Sequence, residues 1–258
     1  MTFELLPVML ANAIEDLDGC VPHVLRGALD ARQLGTACGI ARRVGILSLF
    51  VDSDADRLHA CLSASARMFA HGARTLPADT IVASRCTPLF DALAARDDAG
   101  AAALAAHVLT TPFRPGKERA EDNAWVRFIA FASEATPDDA SMQTELRRLG
   151  AALEDNPSPR LDAGTALVAR DTDAFARAVM RLAQQHADVA IMRLTKGALG
   201  EDEFASEGQL CVEGLALLAL ADRRGMALEV AHATLPDEAR RRSTLSPGPD
   251  DWRAIGSN

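Results

Sequence analysis

Histidine and cysteine are the side chains with which this chain could do nucleophilic or acid–base chemistry. It has six His and five Cys, and no two Cys have the spacing of a zinc or redox motif. Cys86 precedes Thr87-Pro88 at a predicted helix start, so it is the one Cys that a helix N-terminus could activate. His186 falls on a predicted apolar helix face, where a hydrogen-bonded core His is the better interpretation. We therefore expect inert cysteines in a reducing compartment and no metal site.

Motifs for hydrolysis or nucleotide binding are not found in the sequence. There is no Gly-x-Ser-x-Gly, no His-Glu-x-x-His and no phosphate loop, since Lys196 precedes its glycines. The single Glu-x-x-His, Glu229 to His232, is half of what a di-metal helical bundle needs. We expect no catalytic residue, no cofactor and no small-molecule substrate. An all-α enzyme without a recognisable motif remains an alternative.

Carboxylates are the remaining candidates for a functional surface. The chain has 36 acidic and 27 basic side chains, a net charge of -9. Such a surface repels nucleic acid and anionic membranes and suits a basic protein partner. Residues 197–208 are predicted to be a flexible acidic loop, and its Glu201, Asp202, Glu203 and Glu207 are the candidate partner-binding residues. A merely solvated loop is the plainer interpretation of the same residues.

The elements that position these residues are predicted to be helices. Aromatic residues make up only 4% of the chain, Tyr is absent, and Ala and Leu supply the apolar mass. Apolar residues recur at helical spacing in four segments, so each forms one stripe on a helix. The stripes are Leu58, Cys61, Leu62 and Phe69; Trp125, Ile129 and Ala132; Met142, Leu146, Leu149 and Leu153; and Phe175, Val179, Leu182 and His186.

A short repeat indicates how the helices connect. Residues 92–97 read Ala-Leu-Ala-Ala-Arg-Asp, and residues 166–171 read Ala-Leu-Val-Ala-Arg-Asp. Each predicts a tight corner, with Arg in the last turn of one helix and Asp capping the next. We expect an all-α fold of stacked antiparallel hairpins forming a bundle or short superhelical array, with at most one short extended segment near 228–231. The apolar helix 209–224 should lie at its centre.

The domain organisation is predicted to be simple. Residues 1–245 are expected to form a single all-α domain, and residues 246–258 a loose C-terminal tail. The Pro- and Gly-containing loop near 111–118 offers a point of division into two halves, and a single array fits equally well. No signal peptide and no membrane span are expected, which predicts a cytoplasmic protein.

The order of several elements resembles a known family. These elements are the corner 90–97, the helix around Trp125, the corner 166–175 with its helix to His186, the segment 213–221 reading Glu-Gly-Leu-Ala-Leu-Leu-Ala-Leu-Ala, then Arg224-Gly225 and Leu235-Pro236. From about Leu89 to Pro236 the chain is similar to the immunity protein 49 family of bacterial polymorphic-toxin systems. The first eighty or so residues carry no resemblance.

The resemblance implies an all-α protein that binds a cognate toxin domain in the cytoplasm and neutralises it, and that is not an enzyme. It brings no fixed toxin-binding motif to carry over. The acidic net charge suits a basic toxin domain, and a nuclease is one candidate on that ground alone. The alternative function is a helical-repeat scaffold or adaptor that binds a peptide or protein partner in a groove.

Overall fold

The computed structural model describes residues 5–77, 79–154, 156–244, 248 and 250–255, and over these residues it is all-α with no strand. The predicted fold class is therefore confirmed, and the segment near 228–231 has no regular secondary structure. The helices are α1 Leu6–Leu25, α2 Ala31–Asp52, α3 Ala55–Ala73, α4 Pro88–Ala94, α5 Asp98–Thr110, α6 Ala120–Ser133, α7 Asp139–Leu153, α8 Pro159–Ala169, α9 Thr172–Thr195, α10 Glu201–Ala205, α11 Val212–Arg223 and α12 Asp237–Arg240.

Helices that are adjacent in the chain pack against each other, as α1 does on α2, α2 on α3, α6 on α7 and α8 on α9. Short connections make such neighbours antiparallel. Helix α11 is the exception, because it packs on α4, which lies more than a hundred residues earlier. Nearly all of α11 is buried, and Gly225 ends it with a φ of 71°. The predicted central helix is confirmed, slightly shorter than 209–224.

The two Arg-Asp corners share one geometry. The amide of Asp97 donates to the carbonyl five residues earlier at 2.9 Å, and that of Asp171 does the same at 3.0 Å. Each Asp then caps the following helix by accepting a backbone N–H, from Gly100 at 3.0 Å and from Ala174 at 2.9 Å. The repeat in the sequence thus encodes a repeated turn.

The arginines of these corners do not lie where the sequence placed them. Each sits just past its helix with a positive φ, 57° at Arg96 and 55° at Arg170, and so is not in the last helical turn. A helix closed by the observed five-residue hydrogen bond needs a left-handed residue at that position. Helical periodicity does not reveal this requirement, because glycine normally marks it.

The buried apolar residues form one cluster that includes side chains from Leu6 to Trp252. We propose on that ground that residues 1–245 form one domain. The loop between α5 and α6 does not separate two cores, since α5 and α6 pack directly together.

The C-terminal residues differ from the loose tail expected. Trp252 is only 4% exposed and lies against His71 of α3, with 5.4 Å between ring centroids. Ser243 and Thr244 donate hydrogen bonds to the carboxylate of Asp56 at 2.7 and 2.6 Å. These contacts connect Trp252, Ser243 and Thr244 to α3, which composition alone did not indicate. Residues 246, 247, 249 and 256–258 of the predicted tail lie outside the described residues, as do residues 1–4, 78, 155 and 245 of the predicted domain.

Helix α2 has the length and apolar composition of a membrane span, with a mean hydropathy of 1.4 over its most apolar window. More than half of that window is buried inside the protein, and α2 packs between α1 and α3. A core helix has the same character.

Candidate protein-binding surface

The acidic segment is a short helix and not the flexible loop that its glycines suggested. Helix α10 begins after Gly200, whose N–H donates to the carboxylate of Glu203 at 3.0 Å. Three acids in its first turn lie next to the partial positive charge at the start of the helix. This electrostatic attraction stabilises the helix. The candidate residues are therefore held in place by local backbone structure.

Two of the four candidate carboxylates face arginines of α2. An oxygen of Glu203 lies 3.8 Å from Arg43, and an oxygen of Glu207 lies 4.0 Å from Arg42. Glu201 and Asp202 are exposed, and among the described residues neither has a cation within ion-pair distance. The structure therefore divides the predicted set into two residues that dock the segment and two that remain open to a partner.

Glu207 also contributes its backbone carbonyl to the docking. His186 Nε2 lies 2.9 Å from that carbonyl oxygen, so this nitrogen carries the donated proton. Burial lowers the pKa of His186, although the bond to the carbonyl opposes this effect. The hydrogen-bonded His predicted for this position is confirmed, although it is partly exposed, and it connects α9 to the acidic segment.

Arg42 links the acidic segment to a buried carboxylate. It donates two hydrogen bonds to Asp91, at 2.7 and 2.9 Å, and Asp91 is fully buried. Ser65 adds a third hydrogen bond to Asp91 at 2.6 Å. Burial would lower the pKa of Arg42, but the Asp91 carboxylate more than offsets this and raises it. Three helices, α2, α3 and α4, thus meet at one charge pair beneath α10.

A second polar cluster connects α6, α8 and α11. Glu213 accepts hydrogen bonds from Trp125 Nε1 and Arg160 Nε, both at 2.7 Å, and a further one from Arg160 Nη2 at 2.8 Å. Arg160 also reaches Asp122 at 3.1 Å. Sequence reasoning placed Glu213 only within a family pattern, and its partners are too distant in the chain for any spacing to indicate them.

The largest groove among those described, about 1050 Å³, lies between α8 and α9. Apolar side chains form much of it, including Leu161, Ala166 and Met180, and His232 closes one end. Arg181 spans the groove to Asp162 at 2.7 Å. One hairpin lines this groove, whereas a scaffold for extended peptides would line it with successive hairpins.

Comparison with known proteins identifies the family. A family model described as immunity protein 49 matches residues 52–239. The chain belongs to the immunity protein 49 family. No curated protein and no solved structure matches it.

The immunity protein 49 match begins well before Leu89, where the resemblance in the sequence began, and runs from the last residue of α2 into α12. Its start shows that α3, with the buried stripe from Leu58 to Phe69, is part of the family fold. Helix α1 and all but the end of α2 lie outside the matched residues.

The one Cys considered as a nucleophile has an inert environment in this immunity protein 49 family member. Cys86 is fully buried, and burial raises the pKa of its thiol to about 12. A nucleophilic Cys needs the opposite shift. Among the described residues, no group of three His, Cys, Asp or Glu side chains could hold a metal ion.

Proposed function

We propose that this protein binds a cognate bacterial toxin domain in the cytoplasm and neutralises it by direct protein–protein contact, without catalysis of its own. The match to the immunity protein 49 family over residues 52–239 carries this proposal. The exposed carboxylates of Glu201 and Asp202, with the net charge of -9, support a basic partner.

A nuclease toxin would fit this charge. Nucleases bind phosphates with Lys and Arg, and surface carboxylates can take the place of those phosphates. Opposite charge also speeds association, which matters when an inhibitor must capture its target early. Nucleic acid and anionic membranes are not expected partners, because they carry the same negative charge as this protein and are repelled by it.

The test is a rescue experiment with the C-terminal domain of the toxin encoded beside this chain's gene. Expression of that domain alone should stop growth, and co-expression with this protein should restore it. The purified pair should also form a stable complex. Continued growth arrest with both proteins folded and present would contradict the proposal.

The acidic surface is tested by replacing Glu201 and Asp202 with Ser. We expect affinity for the toxin domain to fall by roughly tenfold at low salt, with a smaller effect at high salt. The matched control replaces Glu134 and Glu229, which are exposed acids elsewhere, and should leave affinity within about twofold. Equal affinity of both variants would remove Glu201 and Asp202 from the interface.

The apolar lining of the α8–α9 groove supports a second candidate function, an adaptor that binds one short peptide at this single hairpin. An apolar helical peptide would be expected to bind there with no toxin present. Exchange of the exposed Ala169 for a bulky Leu at the groove would then abolish peptide binding and leave rescue from the toxin unchanged.

A further inference from the structure

The outer face of α1 is exposed along its length and combines apolar and acidic residues. Its buried side chains, Leu6, Leu10, Ala13, Leu17, Val21 and Val24, recur at helical spacing and face α2. On the opposite side, Val8, Asn12 and Glu15 follow the same spacing and are exposed. Helix α1 thus lies at the edge of the fold with one whole face uncovered by the described residues.

Exposed apolar side chains occur in two places, the α1–α2 hairpin and the C-terminal part of α9. The structure describes seven large hydrophobic residues as exposed, and four belong to this hairpin or its N-cap: Leu5, Val8, Leu25 and Phe50. Val8 is the most exposed of the seven, at 56%. Because α1 and α2 are antiparallel, Phe50 at the end of α2 lies at the same end of the hairpin as Leu5 and Val8. An apolar group of this kind on a polar surface is typical of a protein contact.

The charges beside this apolar group have one sign. Glu15, Asp16 and Asp18 are exposed, and no Lys, Arg or His occurs between Leu5 and Pro22. Among the described residues, none of the three acids has a cation within ion-pair distance. This differs from α10, where Glu203 and Glu207 face arginines of the same chain. The apolar group therefore lies at one end of α1 and the unpaired acids lie about two turns further along the helix, and a protein partner can contact both.

The position of α1 relative to the family match gives it a separate meaning. The match covers residues 52–239, and α1 precedes it. Where toxins differ between family members, residues outside the matched range are one place in which this chain's own specificity can be encoded.

We propose that the outer face of α1 is a docking surface for the toxin domain, and this inference rests on the proposed function. Its occupant presents apolar side chains bordered by Lys and Arg. The apolar part packs on Val8 and Leu5, and the basic part pairs with Glu15, Asp16 and Asp18. The charge complementarity fixes the orientation of the partner along α1.

The experiment measures binding of the adjacent-gene toxin domain to two matched triple variants of the full chain. The first is Val8→Ser, Glu15→Lys and Asp16→Lys on α1. The second, Val189→Ser, Glu134→Lys and Asp173→Lys, makes the same chemical changes at exposed positions on other helices. We expect the α1 variant to bind on the order of a hundredfold more weakly, and the control to bind within about twofold of wild type. Circular dichroism and urea unfolding establish that both variants are folded.

Hydrogen exchange of the wild-type chain gives a second readout that needs no substitution. Amides of α1 should exchange more slowly when the toxin domain is bound. Unchanged affinity of the α1 variant, or unchanged exchange in α1, would overturn the inference while wild-type binding still upheld the proposed function. If wild type itself does not bind, the proposed function fails first. A wild-type dimer that the α1 variant converts to monomer, with toxin affinity unchanged, would show that a second copy occupies this face and would also overturn the inference.

Discussion

At the scale of single residues, the pair between Arg42 and Asp91 places a fully buried carboxylate in the interior. Replacement of Asp91 by Ala would leave the Arg42 guanidinium largely buried without its anion. We expect the free energy of unfolding to fall by about 3–5 kcal/mol, measured by urea denaturation. Asp162→Ala is the matched control, because its pair with Arg181 is about half exposed. That change should lower stability by less than about 1 kcal/mol, and equal losses would contradict the expectation.

Three histidines give the stability a dependence on pH. Burial lowers the pKa of His59, His107 and His186, whereas an unfolded His titrates near about 6.5. Between the folded-state pKa and about 6.5 the unfolded chain binds more protons than the folded one, so stability is fully present above about 6.5 and is lost as pH falls from there through the lower folded-state pKa.

The measurement is urea unfolding at several pH values between about 7.5 and 5, above the range in which carboxylates titrate. His107→Gln should show a smaller decline in stability than wild type over this range. Identical declines in the two proteins would mean that His107 does not contribute to the pH dependence.

Sequence reasoning at this scale succeeded where a residue's neighbours are local. The bonded state of His186 followed from its place on an apolar stripe. The pairing of Glu203 and Glu207 with α2 did not follow, because their arginines lie about 160 residues earlier in the chain. A run of acidic residues next to glycines looks the same in the sequence whether its side chains are solvated or paired with arginines of another helix.

At the scale of elements, the Arg-Asp corners are the clearest link between sequence and structure. Arg170 adopts a left-handed conformation that disfavours any side chain with a Cβ. We therefore expect Arg170→Gly to be more stable than Arg170→Ala by about 1 kcal/mol, measured by chemical denaturation.

The control pair for this prediction is Arg177→Gly and Arg177→Ala. Arg177 lies inside α9 and is exposed. At this position Gly should be the less stable variant, by about 1 kcal/mol. The same order at both positions would show that backbone strain at the corner is not the cause.

Helix positions were predictable because a buried stripe repeats every three or four residues over a long segment. Helix α10 was not predictable in that way. It has five residues, and it forms because Gly200 and Glu203 close its first turn, while Arg43 lies near Glu203 and Arg42 lies near Glu207 just beyond the helix. The docked position of Trp252 likewise depends on α3, and its own neighbours in the sequence are polar.

At the scale of the whole molecule, the amino-acid composition was sufficient to predict the fold class. The resemblance to a family was sufficient to predict the general role. The shape of the binding surface could not be inferred from either. Net charge gives the sign of the charge that a partner should carry, but it does not show which carboxylates are open to that partner. The open carboxylates are those that arginines of the same chain leave unpaired. Only the packing of the helices decides which these are. The two acidic surfaces, on α1 and α10, therefore became distinguishable only from the structure.

The central position of α11 has a consequence for synthesis of the chain on the ribosome. Its partner α4 is synthesised more than a hundred residues before α11. The apolar surface of α4 that packs on α11 is therefore exposed while α5 to α10 are made. Contacts this distant in sequence form slowly, and a nascent chain that exposes such a surface is prone to aggregate. A chain that terminates before Val212 would lack its central helix, so premature termination should give insoluble product in place of a shortened inhibitor. On the proposed function, neutralisation of the toxin would then begin only after the last fifth of the chain has been translated.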